Sequence, residues 1–273
     1  MIFPPIYLNS INAMFWDWID WSWYALAMLA FAITAIYAQI EFQTSLTEIE
    51  KKRALSLKRG ALESLVYGFI VAGALFYVSW LIGDPDLSYA AQKYDELAEH
   101  MQYYVVSLGT IAAQLQITIV LSPLVSVWLA MSWLTNTAAQ SLLFLFASFN
   151  ALAKIVKDWG PILLSIGVAM VGIERLRRLG GVLCSSIPML AIYLGWSYKV
   201  SYVESILNAN LTLGNVLLVG PILEMLWGTV LSHARLFVEA VVFYSFTFSL
   251  ALIAAAGFSY AIGGLATYIS ARI

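Results

Sequence analysis

Two histidines, one cysteine and a few polar side chains inside apolar runs are all that this sequence offers for side-chain chemistry. His100 and His233 could ligate a haem or a metal only if they faced each other across a helix bundle. His100 sits in an acidic stretch and His233 at the end of a helix, and the topology read below puts them at opposite faces of a membrane. Cys184 is alone, which excludes an intramolecular disulfide or a cysteine metal cluster. Its apolar neighbours make it a small core residue. The chain has no glycine-rich phosphate loop, no HExxH and no GxSxG. The expectation is therefore no catalytic residue, no metal, no cofactor and no enzymatic activity.

Polar groups within apolar runs are the remaining candidates. Glu224 lies in Pro221-Ile222-Leu223-Glu224-Met225-Leu226-Trp227, and Glu239 lies in Phe237-Val238-Glu239-Ala240-Val241. A carboxylate surrounded by hydrocarbon is costly and is a functional candidate by default. Arg235 stands four residues before Glu239, so an ion pair on one helix face competes with that reading. Gln114, Gln116 and Asn150 read first as hydrogen-bonding groups between helices and second as a substrate site.

The elements that hold these residues are helices in lipid. The chain is 62% hydrophobic and only 11% charged, with a mean hydropathy of +0.83. A water-soluble domain of 273 residues needs far more polar coverage than this. In lipid every backbone group must be paired internally, and the long non-alternating apolar runs select helices over a barrel. The fold class is all-α: a polytopic transmembrane helical bundle of seven or eight spans, a single integral membrane domain over residues 1–273.

The first span runs from Trp21 to Ile40, behind Trp16, Trp18, Trp21, Trp23 and Tyr24, which resemble an interfacial aromatic belt. The N-terminal residues lack the basic region of a signal peptide. Lys51, Lys52, Arg53, Lys58 and Arg59 then place the 41–60 turn in the cytoplasm and the N-terminus outside. A second span covers Leu62 to Ile82. Gly83 to Met101, with Asp84, Asp86, Asp95, Glu96 and Glu99, reads as an exterior loop with room for a short surface helix. Gln102 to Ala153 carries no formal charge and is too long for one span. Two spans are expected there, broken near Thr135–Thr137 and kinked at Pro123. This topology leaves Lys154 and Lys157 outside, against the positive-inside rule. Ser197 to Asn215 reads as exterior, and Asn210-Leu211-Thr212 there fits a glycosylation acceptor. Gly257 and Ala261 form a small-xxx-small pair suited to close helix packing.

Between these lies a short apolar helix from Ile162 to Ile173, a basic tip Glu174-Arg175-Leu176-Arg177-Arg178, and an apolar helix from Gly180 to Trp196. The pair is either re-entrant or spanning. The stretch from Lys157 to Trp196, with its Arg-Arg-Leu-Gly-Gly tip, resembles the TrbL-like polytopic membrane subunit of type IV secretion systems, in the CedA type of crenarchaeal DNA-import machinery. The resemblance implies a conduit or scaffold subunit that assembles with small membrane subunits or with copies of itself. It further implies a cytoplasmic translocase ATPase that supplies energy, and DNA as the transported cargo. Carried onto this chain, it makes Arg175, Arg177 and Arg178 a cytoplasmic contact surface and Gly180 and Gly181 a tight packing turn. The arginines equally suit anionic head groups among the membrane lipids. The rival expectations are a small-solute or ion transporter or channel, with Glu224 facing a cavity near Gln114 or Asn150, and a non-catalytic accessory subunit of a large membrane complex.

Overall fold

A computed structural model describes residues 21–82, 86–117, 123–171, 176–211 and 224–272. Among the described residues the chain is helical and holds no strand. The helices are α1 (Trp21–Thr44), α2 (Glu48–Ile82), α3 (Leu87–Ile117), α4 (Leu124–Val171), α5 (Arg177–Ser197), α6 (Tyr202–Leu207) and α7 (Leu231–Arg272). A π-helical segment, Met225–Val230, leads into α7. Four stretches are long and apolar enough to cross a membrane: Ala25–Thr44, Leu124–Val171, Arg178–Ser197 and Gly228–Tyr260. The chain forms two compact units, one of Met1–Leu87, Ile155–Gly195 and Leu250–Ile273, the other of Ser88–Lys154 and Trp196–Ser249.

Helix boundaries correct the sequence reading at three places. From Leu87 the acidic stretch is helical and not a loop, because α3 begins there and runs for 31 residues; 83–85 lie outside the described residues. Thr135–Thr137 is no break, because α4 is continuous from Leu124 to Val171. Pro123 sits at the head of α4 rather than in a kink, where its carbonyl accepts from Ser126 Oγ at 3.1 Å and its missing N–H costs nothing. The short helix expected from Ile162 to Ile173 is, as far as Val171, the last quarter of α4. Its 48 residues measure about 72 Å, more than twice what one upright crossing needs. Lys154, Lys157 and Asp158 are exposed on the helix itself.

In the first unit α1 and α2 form a helical hairpin. Thr47 opens α2 with a capping box: its Oγ1 accepts from Glu50 N at 3.3 Å while Glu50 Oε2 accepts from Thr47 N at 3.4 Å. Tyr67, Leu164, Val168, Val171 and Cys184 form a buried cluster, with Met28, Phe31 and Ala72 packed against it. The end of α4 and the start of α5 meet backbone to backbone. A Cβ on Gly180 would lie 2.6 Å from Gly167 O and 2.6 Å from Val171 N, a separation only glycine allows. Gly180 and Gly181 are thus buried inside the first turns of α5 and not in the preceding turn.

The second unit is built on a repeat. Leu87 heads a row on α3 continued in the unit by Ala90, Tyr94, Leu97, Met101, Tyr104, Leu108, Ile111 and Leu115, all buried. Trp128, Ser132, Thr135, Ala139, Leu142, Phe146, Phe149 and Ala153 do the same on α4. Both rows alternate steps of three and four, the seam that lets helices interlock along their length. Contacts set the directions. Asp95 meets Asn150 while Leu108 meets Trp128, so α3 and α4 are antiparallel. Thr135 meets Val230 while Phe149 meets Phe248, so α4 and α7 are parallel.

Gly180→Ala should lower the melting temperature of the purified protein, with a cost of about 1–3 kcal/mol from overpacking. Gly257→Ala should leave it within error, because a Cβ there meets nothing within 4 Å.

Candidate functional site

The polar groups of the second unit fall into paired layers along the α3 seam. Tyr94 OH and Ser197 Oγ share a 2.6 Å hydrogen bond, and Tyr244 OH donates to Ser197 O at 3.4 Å. Asn150 Nδ2 donates to Asp95 Oδ1 at 2.6 Å. His100 Nε2 donates to Ala209 O at 3.1 Å, which fixes a proton on that nitrogen. Tyr104 OH and His233 Nδ1 share a 2.8 Å bond, and both rings pack edge-on or tilted against Phe237. Thr135 Oγ1 donates to Val230 O at 3.0 Å. Val230 ends the π-helical segment, and this bond ties the segment to α4 through a buried hydroxyl in the mostly apolar seam of that helix.

The two histidines lie at one end of the second unit and not far apart: Tyr104 follows His100 by one turn on α3 and holds His233. Among the described residues no three His, Cys, Asp or Glu side chains come together as a metal site.

The remaining candidate residues scatter. Glu239 pairs with Arg235, Nε to Oε1 at 2.8 Å, on an exposed helix face. Glu224 is exposed at the start of the π-helical segment. Asn150 lies 15 residues beyond Thr135 on α4, about 22 Å along the axis. Thr135 marks the level of Val230, and Glu224 precedes Val230 on the parallel strand of chain. Glu224 and Asn150 are therefore at different levels and share no site. Gln114 and Gln116 are exposed on α3. Arg178 is exposed at the start of α5, Arg177 is helical, and Arg175 lies outside the described residues. Thr212 of the glycosylation pattern, Trp16, Trp18 and Pro221 lie outside them as well.

What does assemble is a surface. The face of α3 away from its seam exposes Gln92, Glu96, Glu99, Gln102, Thr110, Gln114 and Gln116, with Tyr103, Val106, Gly109 and Ala113 between them; Asp95, at its edge, is bonded to Asn150. Lys93 Nζ donates to Glu96 Oε2 at 2.6 Å. The outward faces of α4 and α7 are of another kind. They expose Leu129, Trp133, Phe144, Val242, Phe246, Ile253 and Phe258. The hydroxyls beside them are satisfied by their own helix, as Thr137 is by Trp133 O at 2.9 Å and Ser148 by Phe144 O at 2.8 Å. Such faces suit lipid. Carboxylates and amides on α3 call for water or a polar partner. The seam itself is readable from the spacing of Leu87, Ala90, Tyr94, Leu97 and Met101; the acids between them conceal it.

No protein-family model matches the chain, and no curated protein or solved structure matches it.

Thr135→Val should destabilise the protein by about 0.5–1.5 kcal/mol by removing the buried hydrogen bond to the Val230 carbonyl. Thr137→Val, exposed and bonded only within its own helix, should be close to neutral. Thermal melts of both variants in one detergent check the pair.

Proposed function

We propose that the chain is a membrane-embedded subunit that lines or scaffolds a translocation passage assembled from several subunits, with the work supplied by a separate cytoplasmic ATPase. The observation that carries this reading is α3. It spans about 46 Å, long enough to cross a bilayer. Its seam is committed to α4 and α7, and its other face carries polar side chains from Gln92 to Gln102 and again at Gln114 and Gln116, with Tyr103, Val106, Gly109, Thr110 and Ala113 between them. Lipid does not solvate such a face, whereas a water-filled passage does. One helix face encloses nothing, so the passage needs further copies of this chain or small membrane subunits around it.

The hairpin that resembles TrbL-like subunits makes DNA the first cargo to test. The N-terminus outside and the 41–60 turn in the cytoplasm follow from the concentration of basic residues in that turn. The crossings in this proposal are the four apolar helices, the part of α2 from Leu62 onward, and α3. The seven or eight counted from the sequence divided α4 into separate spans.

A second reading, an ion or small-solute channel, rests on one feature of the same face. Glu96 and Glu99 near its start favour cations and oppose a polyanion. For a channel, Glu96→Lys with Glu99→Lys should shift the reversal potential of the reconstituted protein toward anions.

Purification from the native host in a gentle detergent, followed by native mass measurement, tests the first reading. It predicts several copies or small membrane partners together with a translocase ATPase, and loss of DNA uptake when the chain is deleted. A monomer without an ATPase, from a host whose DNA uptake survives the deletion, would contradict it.

A further inference from the structure

Two parts of the α1–α2 hairpin belong to different solvents yet lie side by side. The connection is short, from Thr44 to Glu48, and the helices pack against each other. Residues counted backward along α1 therefore meet residues counted forward along α2. Met28 and Phe31 pack against the cluster that contains Tyr67, in agreement with that register. The apolar end of α1, from Ala32 to Ile40, thus runs beside the charged start of α2 and not beside α2's own apolar run, which begins near Leu62.

Along that end of α1, Ile33, Ile36 and Ile40 are exposed, and at the turn Leu46 is 95% and Ile49 82% exposed. Beside them α2 carries Lys51, Lys52, Arg53, Lys58 and Arg59 against Glu48, Glu50 and Glu63, and Glu41 closes α1, so residues 41–63 hold five cations and four carboxylates, an excess of one. Arg59 is engaged by Glu63, Nε to Oε1 at 3.2 Å. Lys52 and Arg53 are exposed, and Lys51 reaches Glu48 only at 4.0 Å.

Bulk water would leave the isoleucine row unsolvated, and hydrocarbon would strand the cations. A bilayer surface accommodates both, since apolar side chains enter the acyl boundary while long basic stems carry their charges to the phosphates. We infer that the closing half of the α1–α2 hairpin is a docking surface for acidic phospholipid head groups of the membrane in which the chain resides. Ile40 and Leu46 enter the acyl boundary where α1 leaves the hydrocarbon that its earlier turns cross, and Lys51, Lys52, Arg53 and Lys58 reach the phosphates. Charge complementarity names the lipid: an excess of cations needs a surface of net negative charge, which zwitterionic head groups lack. The site is independent of what the protein translocates.

The test uses the full chain with an environment-sensitive fluorophore on Gln43→Cys, at an exposed position in the last turn of α1; Cys184 is buried and stays unlabelled. The protein is reconstituted in phosphatidylcholine vesicles with increasing phosphatidylglycerol. Emission should shift to the blue as phosphatidylglycerol rises, and the shift should fade when salt is raised from about 0.05 to about 0.5 M. Replacing Lys51, Lys52, Arg53 and Lys58 by Gln should weaken the apparent affinity for phosphatidylglycerol by about tenfold or more. Replacing the three lysines by Arg should preserve it. Equal emission in both lipids, a shift indifferent to salt, or a Gln variant that responds like the parent would overturn the inference. If the Gln variant does not fold, the salt series on the parent decides.

Discussion

The repeat of apolar residues along α3 is the constraint from which the second unit follows. Steps of three and four residues keep one narrow face of a helix turned to the same neighbours over its whole length. From Ala90 to Leu115 that face is occupied by α4 and α7, as the contacts of Tyr94, Tyr104 and Leu108 show. The opposite face is then turned away from the bundle, and it is the face that bears Glu96, Glu99, Gln102 and Gln114, while Asp95 at its edge reaches back to Asn150 of α4. A helix facing lipid would not keep these residues, because each polar group in hydrocarbon is expensive. Once the seam is fixed, the polar face requires either water or another polar surface.

The interior polar groups obey a related rule. In a bundle surrounded by lipid, an unpaired buried donor or acceptor has no water to fall back on. Tyr94 with Ser197, Asn150 with Asp95, Tyr104 with His233 and Thr135 with the Val230 carbonyl each join two elements of the second unit. They also pin the register between helices, since a slip of one residue would leave several groups stranded together. Close packing by glycine does similar work in the first unit, where Gly167 and Gly180 bring the end of α4 and the start of α5 to backbone contact.

The all-helical, membrane-type character of the chain was legible from composition, because no arrangement in water could cover so many apolar residues. Its segmentation was less so. Charge was read as a sign of loops, yet Glu96 and Glu99 stand on the outer face of a helix whose inner face is apolar. Lys154 and Lys157 likewise stand on a helix that continues past them. Thr135 was read as a break because its partner is remote: it bonds the carbonyl of Val230, 95 residues later, and no local pattern records that contact. The two histidines were separated by the same segmentation, which assigned His100 to a loop where the chain is helical. The basic tip at Arg175–Arg178 remains a matter of sequence resemblance, with only Arg178 placed at an exposed position.

The central claim is that the outer face of α3 meets water within the membrane. Single cysteines at Val106, Thr110, Ala113 and Gln114 should react in native membranes with a membrane-impermeant thiol reagent, while cysteines at Leu108, Ile111 and Leu115 on the seam and at Phe144 on α4 should not. Reactivity that follows the outer face of α3 and spares both the seam and the lipid-facing position is the predicted result. Silence at Val106, Thr110, Ala113 and Gln114 alike would contradict the account, since that face would then be sealed against lipid or protein and would line no passage.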